Sequence, residues 1–427
     1  MTETSSSSGS RNRWAIAGAA VVMQMCLGVL YAWSVFRPPL ASLHGWSPDE
    51  TAAPYRYSLL FFTLAMIVGG LWQDRKGPRL VGSVGGLFLG TGCLLASQIG
   101  DTLNGLILAY GVIGGLGVGF AYVTPIATCV KWFPDRRGMI VGLAVMGFGA
   151  GTLIFAPLLS SIIGTDAAQY AQTLPRTFMV MAAILYVFVI GAAQLFVVPP
   201  AGWRPAGWNP PQGSAAAGDG DFTSAQMLGT WQFYVLWITY FLGASIGLTT
   251  IGEAKPYMLK QVGAEDAVAT AAVSILSVFN GVGRLAWGAV SDRVGRTTAA
   301  ACMGLLMAVG CAVFLRTASS YAMGLAGLCI VGFCFGGYLA LMPAFNADFF
   351  GSKHVGLNYG LLFSAYGLGG FFVPKYFAGI LKAAGENAAA GYSTIFLQMG
   401  IAAVIAMVLA LVPRKPARPA PAEAVAS

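Results

Sequence analysis

An arginine inside an apolar stretch is the residue of this sequence with the most chemistry to do. Arg284 lies in Val278-Phe279-Asn280-Gly281-Val282-Gly283-Arg284-Leu285-Ala286-Trp287. A cation at the centre of a membrane helix costs about 3 kcal/mol even on insertion scales, unless it faces a partner or a wet cavity. Asp292, eight residues on, marks the end of the stretch, so the guanidinium sits about 12 Å in from that end of a helix. No acidic residue occupies the central part of any apolar stretch. The charge therefore lacks an internal counter-ion, and an anionic ligand would supply one. The plainer alternative is a structural arginine satisfied by carbonyls or by snorkelling. Asn280 lies four residues earlier on the same helical face, where it would orient the ligand or the guanidinium, or make an inter-helix hydrogen bond.

Aromatic residues recur at depths that suit the same ligand. They are Tyr31 in Gly28-Val-Leu30-Tyr31-Ala-Trp33, Tyr122 in Gly119-Phe-Ala-Tyr122, Phe335 and Tyr338 in Phe333-Cys-Phe335-Gly-Gly-Tyr338, and Phe363 and Tyr366 in Phe363-Ser-Ala-Tyr366. Buried tyrosine hydroxyls need partners, and carboxylate oxygens are good acceptors. Taken singly, each ring is more simply read as core or interface packing. Glu253 and Lys255 could form a titrating pair, or an ordinary solvated pair. No Walker loop and no cluster of His, Cys, Asp or Glu at catalytic spacing occurs within the apolar stretches. ATP-driven and enzymatic chemistry have no candidates, and no cofactor or metal is expected.

The elements that must position these residues are legible in composition. Of the 427 residues, 57% are hydrophobic and 9% charged, where soluble proteins carry about 25% charged residues; mean hydropathy is +0.71. Glycine is abundant, at 57 positions, as close helix packing in lipid favours. The seven cysteines form no C-x-x-C pair and read as small buried apolar residues. The net charge of +8 is spread over loops and tails, which excludes a nucleic-acid face. The expected fold is an all-α membrane protein with twelve transmembrane helices, at 14–36, 56–73, 80–99, 104–130, 138–163, 177–198, 231–252, 268–291, 298–316, 321–346, 355–375 and 391–412. The first is too long for a signal peptide. With both termini inside, the inner segments hold fifteen Lys and Arg and the outer segments eight, which favours cytoplasmic termini. The Ser-rich head 1–13 and the Pro/Ala-rich tail 413–427 read as disordered. The Pro/Gly-rich segment 199–230 reads as a linker between a bundle at 14–198 and one at 231–412.

The halves repeat at an offset of 218. Gly70-Leu-Trp-Gln-Asp74-Arg75-Lys-Gly77 matches Gly288-Ala-Val-Ser-Asp292-Arg293-Val-Gly295, and the same shift places Pro125 on Pro343, Gly142 on Gly360, Gly149 on Gly367 and Gly151 on Gly369. This implies two parallel six-helix bundles. In the duplicated loop, Asp74 and Asp292 are suited to a helix N-terminus or to an arginine. With Arg75, Gly77, Arg293 and Gly295 they are candidates for a latch that breaks and reforms as the bundles rock. The plain alternative is a tight basic turn.

Twelve spans, the six-plus-six repeat and the paired D-R-x-G loop resemble the major facilitator superfamily. The first-span L-Y-A-W, the R-R-G after Trp132-Phe-Pro-Asp135, the span-eight arginine and the N-Y-G at Asn358 resemble the oxalate–formate antiporter family and its bacterial monocarboxylate relatives. The resemblance implies that Arg284 binds a substrate carboxylate and that Leu30, Tyr31, Tyr122 and the rings of spans ten and eleven line its pocket. Two positions depart from the oxalate carriers. Their second buried cation, a span-eleven Lys, is replaced here by Tyr366, and the nearest lysine, Lys375, is nine residues on; Leu30 stands where they carry Gln. One buried cation suits one carboxylate. The expected function is thus secondary transport of a lactate-, pyruvate- or formate-like monocarboxylate across the inner membrane by alternating access, with proton symport or anion exchange as coupling. Glu253, Lys255 and Lys375 are the coupling candidates, and a monomer in the lipid bilayer is expected. An oxalate–formate type antiporter is the alternative, and a transporter-like sensor the alternative of another class.

Overall fold

The computed structural model describes residues 12–200, 203–205, 207–208 and 221–417. The expected disordered head up to residue 11, the tail from residue 418 and most of the linker interior lie outside the described residues. Helix boundaries follow local signals. Asn12 accepts from the Trp14 N–H and opens span one, which runs Arg13–Val35 and tightens into a 3₁₀ helix from Gly28 onward. Ser47 and Glu50 form a reciprocal cap at the start of span two, Pro48–Lys76. Gly77 (φ 85°) and Gly295 (φ 92°) take a conformation that only glycine adopts without strain, and so turn the chain tightly from span two into three and from eight into nine.

Eleven helices among the described residues are long and apolar enough to cross a membrane. Span eleven, Val355–Ala384, matches them in length with 30 residues; Asn358, Tyr359, Tyr366 and its glycines dilute its hydropathy. Several spans exceed their expected limits: span two begins at Pro48 instead of 56, span six at Tyr170 instead of 177, and span eleven continues to Ala384 instead of 375. Polar residues in these extra turns end an apolar window without ending a helix. Hydrophobic residues such as Val187, Phe188, Phe372, Tyr376 and Leu411 stay exposed on the outer faces, as lipid contact requires.

The spans form two bundles of six with matching internal packing. Span one packs on five, two on four and three on six; in the second half seven packs on eleven, eight on ten and nine on twelve. The bundles meet along two seams, span two against eleven and span five against eight. Glycines make the seams narrow. An added Cβ on Gly70 would strike the Gly356 carbonyl, and one on Gly138 the Gly288 carbonyl; an added Cβ on Gly360 would lie 2.6 Å from the Met66 oxygen, and one on Gly142 would strike the Arg284 oxygen. A shift of 218 carries Gly70 onto Gly288, Gly138 onto Gly356, Gly142 onto Gly360 and Met66 onto Arg284, so the two seams are equivalent, with Met66 holding the place that Arg284 holds in the other seam.

Candidate functional site

Span eight carries Arg284 into the span five–eight seam, where its side chain is 1% exposed. Nη1 donates to the Val145 carbonyl in the opposite bundle at 2.6 Å, and Nη2 to Asn280 Oδ1 at 2.9 Å. Asn280 is held in turn, its Nδ2 donating to the Gly332 carbonyl of span ten at 3.1 Å. That bond fixes which end of the amide faces the guanidinium. Gly149 leaves room for the guanidinium carbon, 3.8 Å from where a Cβ would stand. Arg284 makes no ion pair among the described residues, and its Nε is buried without a hydrogen-bond acceptor. A buried cation with donors to spare and no counter-charge is prepared for an anion.

The guanidinium borders a small cavity between the bundles, walled by Tyr31, Phe62, Tyr122, Phe148, Leu339, Phe363 and Tyr366. Its free space is about 10 Å³, about enough for one water molecule, so the site is drawn closed. Both halves supply the wall. The Tyr31 and Tyr366 hydroxyls hydrogen-bond across the interface at 2.9 Å. Phe363 of span eleven sits against Phe62 at 5.1 Å and Tyr122 at 5.5 Å, both from the first bundle, and stacks on Tyr366 at 4.7 Å. Such ring pairs add about 1 kcal/mol each beyond burial, and these must separate when the bundles part.

At the end of the molecule bearing the D-R-x-G loops, each aspartate caps a helix of the opposite bundle. Asp74 accepts from the Gly356 and Leu357 N–H groups at 3.2 and 2.9 Å, at the start of span eleven. Asp292 accepts from Gly138 and Met139 at 2.9 and 2.8 Å, at the start of span five. The shift of 218 turns one arrangement into the other. A carboxylate on the first-turn amides of a helix is favoured by hydrogen bonding and by the helix dipole. Asp292 also pairs with Arg296 at 2.6 Å, Arg296 with Asp348 at 2.8 Å, and Asp348 with Arg137 of the first bundle at 2.7 Å.

The Major Facilitator Superfamily profile matches residues 16–252 and again 236–427. The chain belongs to the major facilitator superfamily. Among relatives of this superfamily member, it is 32% identical to an oxalate:formate antiporter of Oxalobacter formigenes, over 94% of this chain and 92% of that one. It is 27% identical to apicoplast pyruvate carrier 1 of Toxoplasma gondii, over 79% of this chain and 72% of that one. In fold it is similar to the proton:xylose symporter XylE bound to 6-bromo-6-deoxy-D-glucose, with a TM-score of 0.73 at 16% identity over 93% and 95% of the two chains. The fucose transporter FucP in its outward conformation gives 0.71 at 14% identity over 92% and 97%.

In this superfamily member the sequence-derived candidates divide by position. Arg284, Tyr31, Tyr122, Phe363 and Tyr366 border the cavity. Asn280 and Phe335 stand behind it, Asn280 holding Arg284 and Phe335 lying parallel to Tyr366 at 6.4 Å. Tyr338 is fully buried against Gly243, and Leu30 is buried among apolar side chains; neither borders the cavity. Arg75 and Arg293 point outward and are exposed. The cations beside Asp74 and Asp292 are instead Lys131, 3.5 Å from Asp74, and Arg296, 2.6 Å from Asp292. Glu253 accepts from the Tyr392 hydroxyl at 3.1 Å, away from the cavity; Lys255 lies two residues on and half-buried, while Lys375 is exposed near the far end of span eleven. Phe62, Phe148 and Leu339 were missed as wall residues, although Phe148 is the repeat mate of Tyr366, and that pairing was the one signal for it.

Proposed function

We propose that this transporter carries a small monocarboxylate of the lactate, pyruvate or formate type by alternating access. The carboxylate binds Arg284, and the apolar remainder lies among Phe62, Tyr122, Phe148 and Phe363. One observation carries this reading: a buried guanidinium with no counter-ion among the described residues, at the interface between two bundles that would move against each other. A dianion would leave its second charge facing rings. Coupling is by proton symport or anion exchange. The D-R-x-G end faces the cytoplasm of a cell whose inner membrane holds the protein, both termini are inside, and the division into 14–198 and 231–412 separates the moving bodies. A pyruvate carrier and an oxalate:formate antiporter among the relatives support an organic-anion cargo. The identity shared with the antiporter along almost the whole chain favours a second reading, exchange of oxalate for formate.

Competition of unlabelled mono- and dicarboxylates against labelled L-lactate uptake in proteoliposomes, at two pH values, tests this directly. Inhibition by short monocarboxylates with little by oxalate or malonate is expected. Uptake seen only with oxalate and formate on opposite sides establishes the second reading, and binding without flux a sensor.

A further inference from the structure

The chain between the two bundles is fastened at both of its ends to the loops that carry the latch amides. Trp203 packs edge-on against Trp132 at 4.7 Å, and Trp132 itself donates to the Val197 carbonyl at 2.7 Å. Six residues after Trp132 come Gly138 and Met139, the amides that Asp292 holds. At the other end, Phe222 donates its N–H to the Phe350 carbonyl at 2.9 Å and packs edge-on against the Phe350 ring at 5.6 Å. Six residues after Phe350 come Gly356 and Leu357, the amides that Asp74 holds. Trp132 and Phe350 are related by the shift of 218, so the two fastenings occupy equivalent places on equivalent loops.

The second fastening is the more elaborate. One oxygen of Asp221 accepts from the Ser352 and Lys353 N–H groups at 2.9 and 2.8 Å. Gly351 makes this possible: its φ is +89°, and a side chain there would strike the Asp221 carboxylate. Asn358 donates to the Phe222 carbonyl at 3.2 Å and accepts from Ser224 at 2.7 Å. The asparagine of the N-Y-G motif therefore faces away from the cavity and grips the incoming chain. Phe222, Phe350 and Trp132 are 5%, 0% and 2% exposed, so these are packed joints. Each has hydrogen bonds that fix its geometry.

We propose that Trp203 at one end and Asp221 with Phe222 at the other are positioning residues for the latch. They hold the two loops so that the first-turn amides of spans five and eleven stand where Asp292 and Asp74 can accept them. They act through the loops and touch neither cargo nor aspartates. Loosening either joint lets its loop shift and weakens the capping bonds, which favours bundles parted at the latch end. The inference does not depend on which acid is carried.

The test uses the full chain in liposomes, with Cys302 replaced by Ser and spin labels at the exposed positions Arg79 and Thr298, one in each bundle near the latch end. The inter-bundle distance is read by pulsed electron resonance. Trp203→Ala and Asp221→Ala are each expected to raise the ratio of parted to closed molecules about fivefold, the scale of one or two lost hydrogen bonds or a comparable packed contact. Trp203→Phe and Asp221→Asn, which keep a ring and an acceptor oxygen, are expected to restore most of the closed population. Distance distributions unchanged in both alanine variants overturn the proposal. So does a fall in melting temperature with no change in distance, which would make the joints structural only.

Discussion

Replacing Arg284 by Met separates carrying the cargo from holding the fold. The repeat supplies the reason for choosing methionine: Met66 occupies the equivalent place in the other seam, with its backbone against Gly360 as that of Arg284 is against Gly142. A methionine side chain thus already packs at such a crossing. Replacing a buried ion pair by apolar residues of similar size is often neutral or stabilising by about 1–4 kcal/mol, and a buried charge without a counter-ion recovers its desolvation cost in the same way. Against this, Asn280 Oδ1 and the Val145 carbonyl lose their donor, at about 1 kcal/mol each. The expected net effect on stability therefore lies between about 2 kcal/mol against the variant and about 2 kcal/mol in its favour. Binding changes far more. Removing one partner of a buried charge pair costs about 2–5 kcal/mol, or about 30-fold to about 4000-fold in affinity. Labelled L-lactate uptake at low concentration should fall by that factor in proteoliposomes, while the melting temperature in detergent changes by only a few degrees. Uptake within twofold of the parent would remove Arg284 from cargo binding. A collapse in stability would show that the guanidinium serves the seam, through Val145, and not the substrate.

Asp74→Asn and Asp292→Asn should each slow maximal uptake with little change in half-saturating concentration, since each weakens a two-amide cap by about 1–2 kcal/mol; Asp292→Asn should be the more severe because its Arg296 pair, at 2.6 Å, is closer than the 3.5 Å Lys131 pair that Asp74 loses. Tyr31→Phe and Tyr366→Phe should each shift the half-saturating concentration about two- to tenfold. The double variant should be no worse than either single one, because both remove the same 2.9 Å bond; additive losses would contradict that. Gly142→Ala and Gly360→Ala should abolish uptake while the protein still inserts, since each methyl would meet a carbonyl of the facing helix; normal uptake in either would mean the seams are looser than described.

Some of this was legible in the chain because the physics leaves few alternatives. A charge within an apolar run needs a reason, so Arg284 declares itself, and Gly142 with Gly360 stands out once the two halves are laid side by side. The latch partners were not legible. Asp74 and Asp292 grip backbone N–H groups, which every residue but proline possesses, and no side-chain pattern announces which ones. Arg75 and Arg293 drew attention by sitting next to them, yet consecutive helical residues point in different directions, and Lys131 and Arg296 take the role instead. Asn280 kept two readings because an amide at i−4 satisfies both; in the structure it binds Gly332 and Arg284 together. Phe62 is one of 26 phenylalanines, and nothing in its neighbours separates a wall ring from a core ring until span eleven is placed against it. The Trp203 and Phe222 joints fall in a segment whose composition reads as slack chain, and only their aromatic rings hinted otherwise.

The glycine seams also bear on how fast such a machine can turn over. Where Gly70 faces Gly356 and Gly138 faces Gly288, main chain abuts main chain, with only the Asp74, Ser291 and Arg296 side chains beside the contact. Two helices meeting in this way behave like a plain bearing: a small roll or slide trades one carbonyl contact for the next, and no rotamer has to change. Resistance to the stroke then comes from the rings around the cavity, the Arg284–Val145 bond, and the caps and the Arg137–Asp348 pair at one end, so mutations that merely roughen the bearing should act on speed before they act on affinity.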